Sequence, residues 1–163
     1  MNPDPGVAIA STARDADGTP AQAGGLANEF VVVGTSHRLA PIHVRERLAH
    51  PETRARLLEL ARTQARLNEA CVLVTCNRVE CWGLAPAPPH EAVAERVASA
   101  LSIDPEALRV LSGADAYLHA IRVAGGFDSA VWGEPQIAGQ VRAALQTSVG
   151  TGEPVQLHSA VRK

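Results

Sequence analysis

The chain has 163 residues and a formal net charge of −2, with 46% hydrophobic, 20% charged and only 3% aromatic residues. That length and composition suit one globular domain whose core must be built from Val, Leu, Ile and Ala. They exclude a disordered polyelectrolyte, a strongly basic nucleic-acid binder and, with no apolar run of about 18 residues, a membrane-spanning helix. The start of the chain lacks the basic and apolar stretches of a signal peptide, so a cytoplasmic location is expected.

Residues 1–28 are rich in Gly, Pro, Ala, Ser, Thr and Asp and have no periodicity, which predicts a disordered tail. The domain is expected to run from 29 to 149. Phe30 to Gly34 predicts a strand, followed by a polar loop, Thr35 to Arg38. Pro41 opens a short helix, Ile42 to Ala49. Pro51 suits the first turn of an amphipathic helix over Glu52 to Asn68, with Leu57, Leu60, Ala61 and Leu67 at helical spacing. Ala70 to Thr75 and Arg78 to Leu84 read as two strands joined by a tight turn that includes Cys76 and Asn77. Beyond a stiff Pro-rich loop, Glu91 to Leu101 predicts a helix, Asp104-Pro105 a turn, and Ala107 to Leu111 a strand. Asp115 is expected to cap a helix ending near Ala124, where Gly125-Gly126 breaks it. Pro135 starts a last helix, with Ile137, Val141, Ala144 and Leu145 on one face, which ends near Val149-Gly150; residues 150–163 read as a truncated connector. The order βαββαβ predicts an α/β, ferredoxin-like sandwich with additional C-terminal helices.

Three cysteines, Cys71, Cys76 and Cys81, are too few and wrongly spaced for a disulfide framework or a zinc site, so no metal is expected. Cys71 and Cys81 lie in apolar strands, where cysteine behaves as a small hydrophobe. Cys76 sits in a polar turn beside the cationic Arg78, a setting that favours thiolate, the nucleophilic form. Of six histidines, His37 follows a strand and His119 lies within an apolar helix; either is a candidate partner for the thiol. Phe127 to Gln136 places Asp, Ser, Glu and Gln before a helix start, which reads first as capping and second as a polar ligand site. No glycine-rich phosphate loop or dinucleotide fingerprint occurs. Lys163 is the single lysine among 15 cationic residues. The arginine bias permits phosphate binding, and is also what a GC-rich genome produces.

Three segments, in order, resemble glutamyl-tRNA reductase. They are Val33-Gly34-Thr35-Ser36-His37-Arg38-Leu39-Ala40-Pro41 with Val44-Arg45-Glu46-Arg47; Leu73-Val74-Thr75-Cys76-Asn77-Arg78-Val79-Glu80; and His119 to Ser129 continuing through Gly133-Glu134-Pro135-Gln136 to Val141. The resemblance spans about Phe30 to Ser148 and implies the N-terminal catalytic domain of that family. It implies that Cys76 attacks the ester carbonyl of glutamyl-tRNA to give a thioester and that His119 is functional. It implies substrate binding at Thr75, Asn77, Arg78, Ser129, Glu134, Pro135, Gln136 and Gln140, with Arg78 suited to the substrate's carboxylate. In the family NADPH then reduces the thioester to glutamate-1-semialdehyde for tetrapyrrole (porphyrin) synthesis. Leu39 stands where the family usually has a small hydroxyl residue, and Trp132 where it has a smaller aliphatic one. The chain is expected to lack the family's NADPH-binding and dimerisation domains, so that a homodimer or a partner would supply the hydride. The alternatives are a stand-alone acyl transferase acting on aminoacyl-tRNA and a non-catalytic tRNA-binding module.

Overall fold

A computed structural model describes residues 28–128 and 136–150, the last two by backbone alone. The expected tail and connector therefore lie outside the described residues, apart from Asn28 and Gly150. Strand β1 is Glu29–Ser36, helices α1 and α2 are Ile42–Ala49 and Pro51–Gln64, and strands β2 and β3 are Glu69–Val74 and Arg78–Ala85. Helix α3 is Val93–Leu101. A 3-10 turn, Pro105–Ala107, leads to β4, Arg109–Ser112, then α4, Gly113–Ala124, α5, Gln136–Gln146, and β5, Val149–Gly150. The sheet runs β4-β1-β3-β2-β5 and every pairing is antiparallel. The first four strands have the order that a βαββαβ chain makes when each helix crosses the sheet, so the ferredoxin-like expectation holds.

Strand alternation divides the core in two. Val31, Val33, Val79, Cys81 and Ala85 face one side and pack with Leu48, Leu57, Ala61, Val93 and Val97 from α1 to α3. Phe30, Val32, Cys71, Leu73, Trp82 and Leu84 face the other, under Ala116, Ala120 and Val123 of α4 and Ile137, Val141 and Leu145 of α5. The C-terminal helices therefore cover the face that a bare ferredoxin-like sandwich leaves open. The alanines on the inner face of α4 bring that helix close to the sheet. Phe30 meets Trp82 edge-on, with ring centroids 6.0 Å apart, and Tyr117 at 4.9 Å.

Several boundaries differ from expectation. Helix α2 stops at Gln64 rather than Asn68. Arg66 takes a left-handed φ of 57°, and the Leu67 N–H returns to the Arg62 carbonyl at 2.9 Å, a cap that usually employs glycine. Helix α3 starts at Val93 rather than Glu91. Strand β4 is displaced to Arg109–Ser112, where Val31 to Gly34 of β1 pair with it, and α4 begins at Gly113 instead of after an Asp115 cap. The last helix ends at Gln146, and Val149–Gly150 instead pairs with Glu69 and Ala70 as a short edge strand. Pro135, expected to start that helix, lies outside the described residues.

Candidate active site

The turn between β2 and β3 is held from four directions. The Thr75 N–H donates to the Arg78 carbonyl at 2.9 Å, and the Thr75 hydroxyl accepts from the Asn77 N–H at 3.2 Å. The His37 N–H donates to the Asn77 carbonyl at 2.7 Å, tying the turn to the end of β1. Arg45 of α1 reaches over with Nη1 to the Cys76 carbonyl, while its Nε holds the Ala40 carbonyl at 3.3 Å. The backbone of Cys76 is thus fixed while its side chain is exposed. The other two cysteines are buried; burial, then the nearby Glu69 charge, push the Cys71 thiol up to about 12, and burial pushes Cys81 higher still. At neutral pH those two remain inert thiols.

Inward from the turn, alternation along β3 sends Arg78, Glu80 and Trp82 to the α4 side of the sheet. Gly34 stands opposite Glu80 in the register. A Cβ there would lie 2.5 Å from the Glu80 Cα and 3.0 Å from its Cγ, so the glycine is what admits the carboxylate. Arg78 is only 1% exposed. Its Nη1 donates to Glu80 Oε1 at 3.0 Å, and its Nη2 to the Asp128 carbonyl at 2.6 Å and to Oδ2 at 3.1 Å. Trp82 Nε1 donates to Glu80 Oε2 at 2.9 Å, and His119 Nε2 lies 3.0 Å from Glu80 Oε1.

Asp128 reaches Arg78 because α4 ends in a Schellman turn. The Phe127 N–H bonds the Arg122 carbonyl and the Gly126 N–H the Val123 carbonyl, with Gly126 at φ 74°. Arg38 closes the cluster from outside, Nη2 to Asp128 Oδ1 at 3.1 Å, with 58% of its side chain exposed. Burial would raise the Glu80 carboxyl, but His119, Arg78 and Trp82 together hold it below its ordinary value. Burial would raise Asp128 too, yet Arg78, Arg38 and His119 hold it low. Both carboxylates are ionised at neutral pH, and the buried charges are matched.

Beside this cluster lies a cleft of about 250 Å³. Ser36, His119 and Asp128 line it together with Arg38, Arg109 and Arg122, and Asp115, Leu111 and Leu118 complete the wall. His119, 13% exposed at its side chain, connects the buried carboxylate to this space. Among the expected site residues, the structure joins Thr75, Cys76, Asn77 and Arg78 in the turn and links Arg78 to His119 through Glu80. It does not bring Arg78 to the surface; the exposed guanidinium is Arg38. Gln136 and Gln140 are exposed on α5, and Ser129, Glu134 and Pro135 lie outside the described residues. No group of three or more His, Cys, Asp or Glu able to hold a metal occurs among the described residues, and none of their helices is long and apolar enough to cross a membrane.

Nothing in the sequence reading assigns a role to Glu80, Trp82, Arg38 or Arg45, and Asp128, read there as a cap or ligand residue, proves to be a partner of Arg78 and Arg38. Alternation along β3 was the available signal for Glu80 and Trp82, because it puts them on the face of Arg78. Nothing local marks Arg45, whose target is 31 residues away.

An exposed turn cysteine and, two residues on at the start of β3, a buried charge cluster centred on Arg78 mark this antiparallel α/β sandwich as a domain with a candidate thiol site. The family model for the N-terminal domain of glutamyl-tRNA(Glu) reductase matches residues 33–162. Glutamyl-tRNA reductase of Sorangium cellulosum is 42% identical over 150 residues, covering 74% of this chain and 28% of the relative. That of Alkalilimnicola ehrlichii is 36% identical over 125 residues, with the same coverage. The solved glutamyl-tRNA reductase of Methanopyrus kandleri superposes with a TM-score of 0.56 at 28% identity, over 72% of this chain and 27% of its own. The chain belongs to the glutamyl-tRNA reductase family, as its N-terminal domain. It spans under a third of the length of these relatives.

Proposed function

We propose that Cys76 accepts the glutamyl group of glutamyl-tRNA as a thioester, the acyl-transfer half of glutamate-1-semialdehyde formation in cytoplasmic tetrapyrrole synthesis. The observation that carries this reading is the exposed thiol on a turn held by four contacts and tied through His37 to the end of β1, whose Ser36 lines a cleft together with His119 and Asp128. Turn and cleft share their framework, since Ser36 and Arg38 line the cleft and His37 between them holds Asn77.

In the step, the Cys76 thiolate attacks the ester carbonyl carbon. A C–S bond forms, the ester C–O bond breaks, and the terminal ribose oxygen leaves with the proton given up by the thiol. His119 is the proposed carrier of that proton. Arg38 is the guanidinium a substrate carboxylate meets first, and Arg78 behind it is reached by displacing Asp128. Thr75, Asn77, Gln136 and Gln140, with Ser129, Glu134 and Pro135, are proposed to hold the glutamyl group. Two buried atoms at the end of β1, Thr35 Oγ1 and His37 Nδ1, have no hydrogen-bond partner among the described residues and leave bonding capacity beside the turn. The exposed Arg109 and Arg122 at the mouth of the cleft suit the phosphates next to the acylated ribose.

NADPH, when bound in the whole enzyme, supplies the hydride that reduces the thioester. The described residues of this chain do not fit a dinucleotide. Such sites use a glycine-rich turn at the edge of a parallel sheet, and this sheet is paired antiparallel.

The test is acid-quenched intact-mass and peptide analysis of the chain after incubation with glutamyl-tRNA. A hydroxylamine-labile glutamyl adduct on Cys76, lost in Cys76→Ser, is expected. tRNA binding without an adduct would reject acyl transfer in favour of a binding module.

A further inference from the structure

Every polar contact of Glu80 bears on which nitrogen of His119 carries the hydrogen. Glu80 is 3% exposed and has both oxygens engaged. Oε1 receives Arg78 Nη1 and lies 3.0 Å from His119 Nε2, while Oε2 receives Trp82 Nε1 at 2.9 Å. Guanidinium and indole N–H groups only donate, and an ionised carboxylate only accepts. The hydrogen between Glu80 and His119 therefore has to sit on Nε2. A neutral imidazole carries one N–H, so Nδ1 is left as its lone-pair nitrogen.

We propose that Trp82 and Glu80 are positioning residues that lock His119 in the Nε2–H tautomer, so that Nδ1 is the nitrogen through which His119 takes up and returns a proton. On gaining a proton at Nδ1 the ring becomes imidazolium without breaking its bond to Glu80. On losing it the ring returns to the same tautomer. A proton therefore enters and leaves at one atom, and the ring need not flip.

Trp82 has a separate part in this. Arg78 and His119 both approach Oε1, and two donors on one oxygen do not prevent the carboxylate from turning both oxygens toward Arg78 and letting go of the His119 Nε2–H. The indole N–H on Oε2 does. Trp82 is itself immobile, 1% exposed and packed edge-on against Phe30. The chemical use of Nδ1 rests on the acyl-transfer reading above, whereas the tautomer itself does not.

Long-range ¹H–¹⁵N correlation spectra of the ¹⁵N-labelled full chain distinguish the two neutral tautomers of His119. The wild type should show Nε2–H alone. Trp82→Phe keeps a ring against Phe30 and should keep its circular dichroism, but should show both tautomers. With between half and nine-tenths of molecules in the wrong tautomer, acylation of Cys76 should slow by about two- to tenfold. Glu80→Gln, whose amide donates as well as accepts, should shift the tautomer further; if it fails to fold, Trp82→Phe decides. A wild-type Nδ1–H tautomer overturns the proposal. So does a Trp82→Phe chain whose His119 spectrum matches the wild type. If the tautomers behave as expected while Cys76 takes up no acyl group, the positioning role is supported and the acyl-transfer reading alone falls.

Discussion

Replacing Arg78 by Met removes the centre of the buried cluster at nearly constant volume. Three hydrogen bonds go, to Glu80 Oε1 and to the carbonyl and Oδ2 of Asp128. Asp128 retains Arg38, but its side chain is only 12% exposed and Arg78 is the stronger of its two cationic partners, so its carboxylate loses as well. Its carbonyl loses a charged donor, roughly 1 kcal/mol or more. Glu80 is the costly member, because an ionised carboxylate 3% exposed keeps only Trp82 and His119. Breaking a buried pair by removing one partner typically costs about 3–5 kcal/mol, and that is the expected loss at pH 7.5 in urea unfolding followed by circular dichroism. The pH dependence identifies the cause. In the wild type the folded-state value of Glu80 is lowered, so its stabilisation is complete above the unfolded value, about 4.3, and fades as pH falls through the lowered one. In the variant, burial drives the folded value above the unfolded one, so the penalty is greatest at high pH and shrinks as Glu80 takes up a proton. The difference between variant and wild type should therefore narrow from pH 8 to pH 5. A deficit below about 1 kcal/mol at pH 7.5, or one that widens on acidification, would refute the charge-matching argument.

Gly34→Ala tests the same site by volume. The new Cβ would meet the backbone of Val79 and Glu80, which cannot swing aside, so about 1–3 kcal/mol should be lost, at roughly 2–4 °C of melting temperature per kcal/mol. An unchanged melting temperature would mean that β1 and β3 separate freely at this pair. Arg109→Gln and Arg122→Gln probe the mouth of the cleft. Each should weaken binding of uncharged tRNA and reduce the slope of log K against log salt by about 0.7–0.9 for each phosphate no longer neutralised, with circular dichroism unchanged. Equal slopes in wild type and variants would remove the arginines from the nucleic-acid surface.

How much was legible in the sequence depended on distance along the chain. Alternating and helical periodicity report burial within an element, so the order of strands and helices and the ferredoxin-like class followed from pattern alone. Burial is also why Cys71 and Cys81 separate from Cys76, since two lie in apolar runs and one in a polar turn. Boundaries failed where local chemistry was unusual. Arg66 accepts a left-handed conformation normally reserved for Gly or Asn, and β5 is two residues long, below any periodic signal. The site was legible as residue types and not as a network. The bond from Glu80 to His119 spans 39 residues and that from Arg78 to Asp128 spans 50, and no pattern within a window of one helix or strand encodes either. Arg78 shows the consequence. A cation beside a turn cysteine reads as a partner for thiolate or substrate, and only the sheet register shows that its side chain points inward to two carboxylates.

That inward cluster has a structural reason to sit where it does. On the α4 side, β3 presents Arg78, Glu80, Trp82 and Leu84 in succession, a gradient from fully charged to fully apolar. The apolar end is covered by the alanines of α4, which bring the helix onto the sheet. At the charged end α4 has already terminated, and the Schellman turn at Gly126 delivers Asp128 in place of another helical side chain. An apolar plug there would close the cleft, whereas unpaired charges would cost several kcal/mol each. Two carboxylates around one guanidinium, with His119 and Arg38 on the outer side, fill the volume at matched charge and still leave a polar wall. The turn that carries Cys76 is therefore anchored beside a polar, charge-matched wall while its thiol escapes the burial that silences Cys71. The same anchoring gives Arg45 its part, because its bond to the Cys76 carbonyl holds the backbone and leaves the sulfur free.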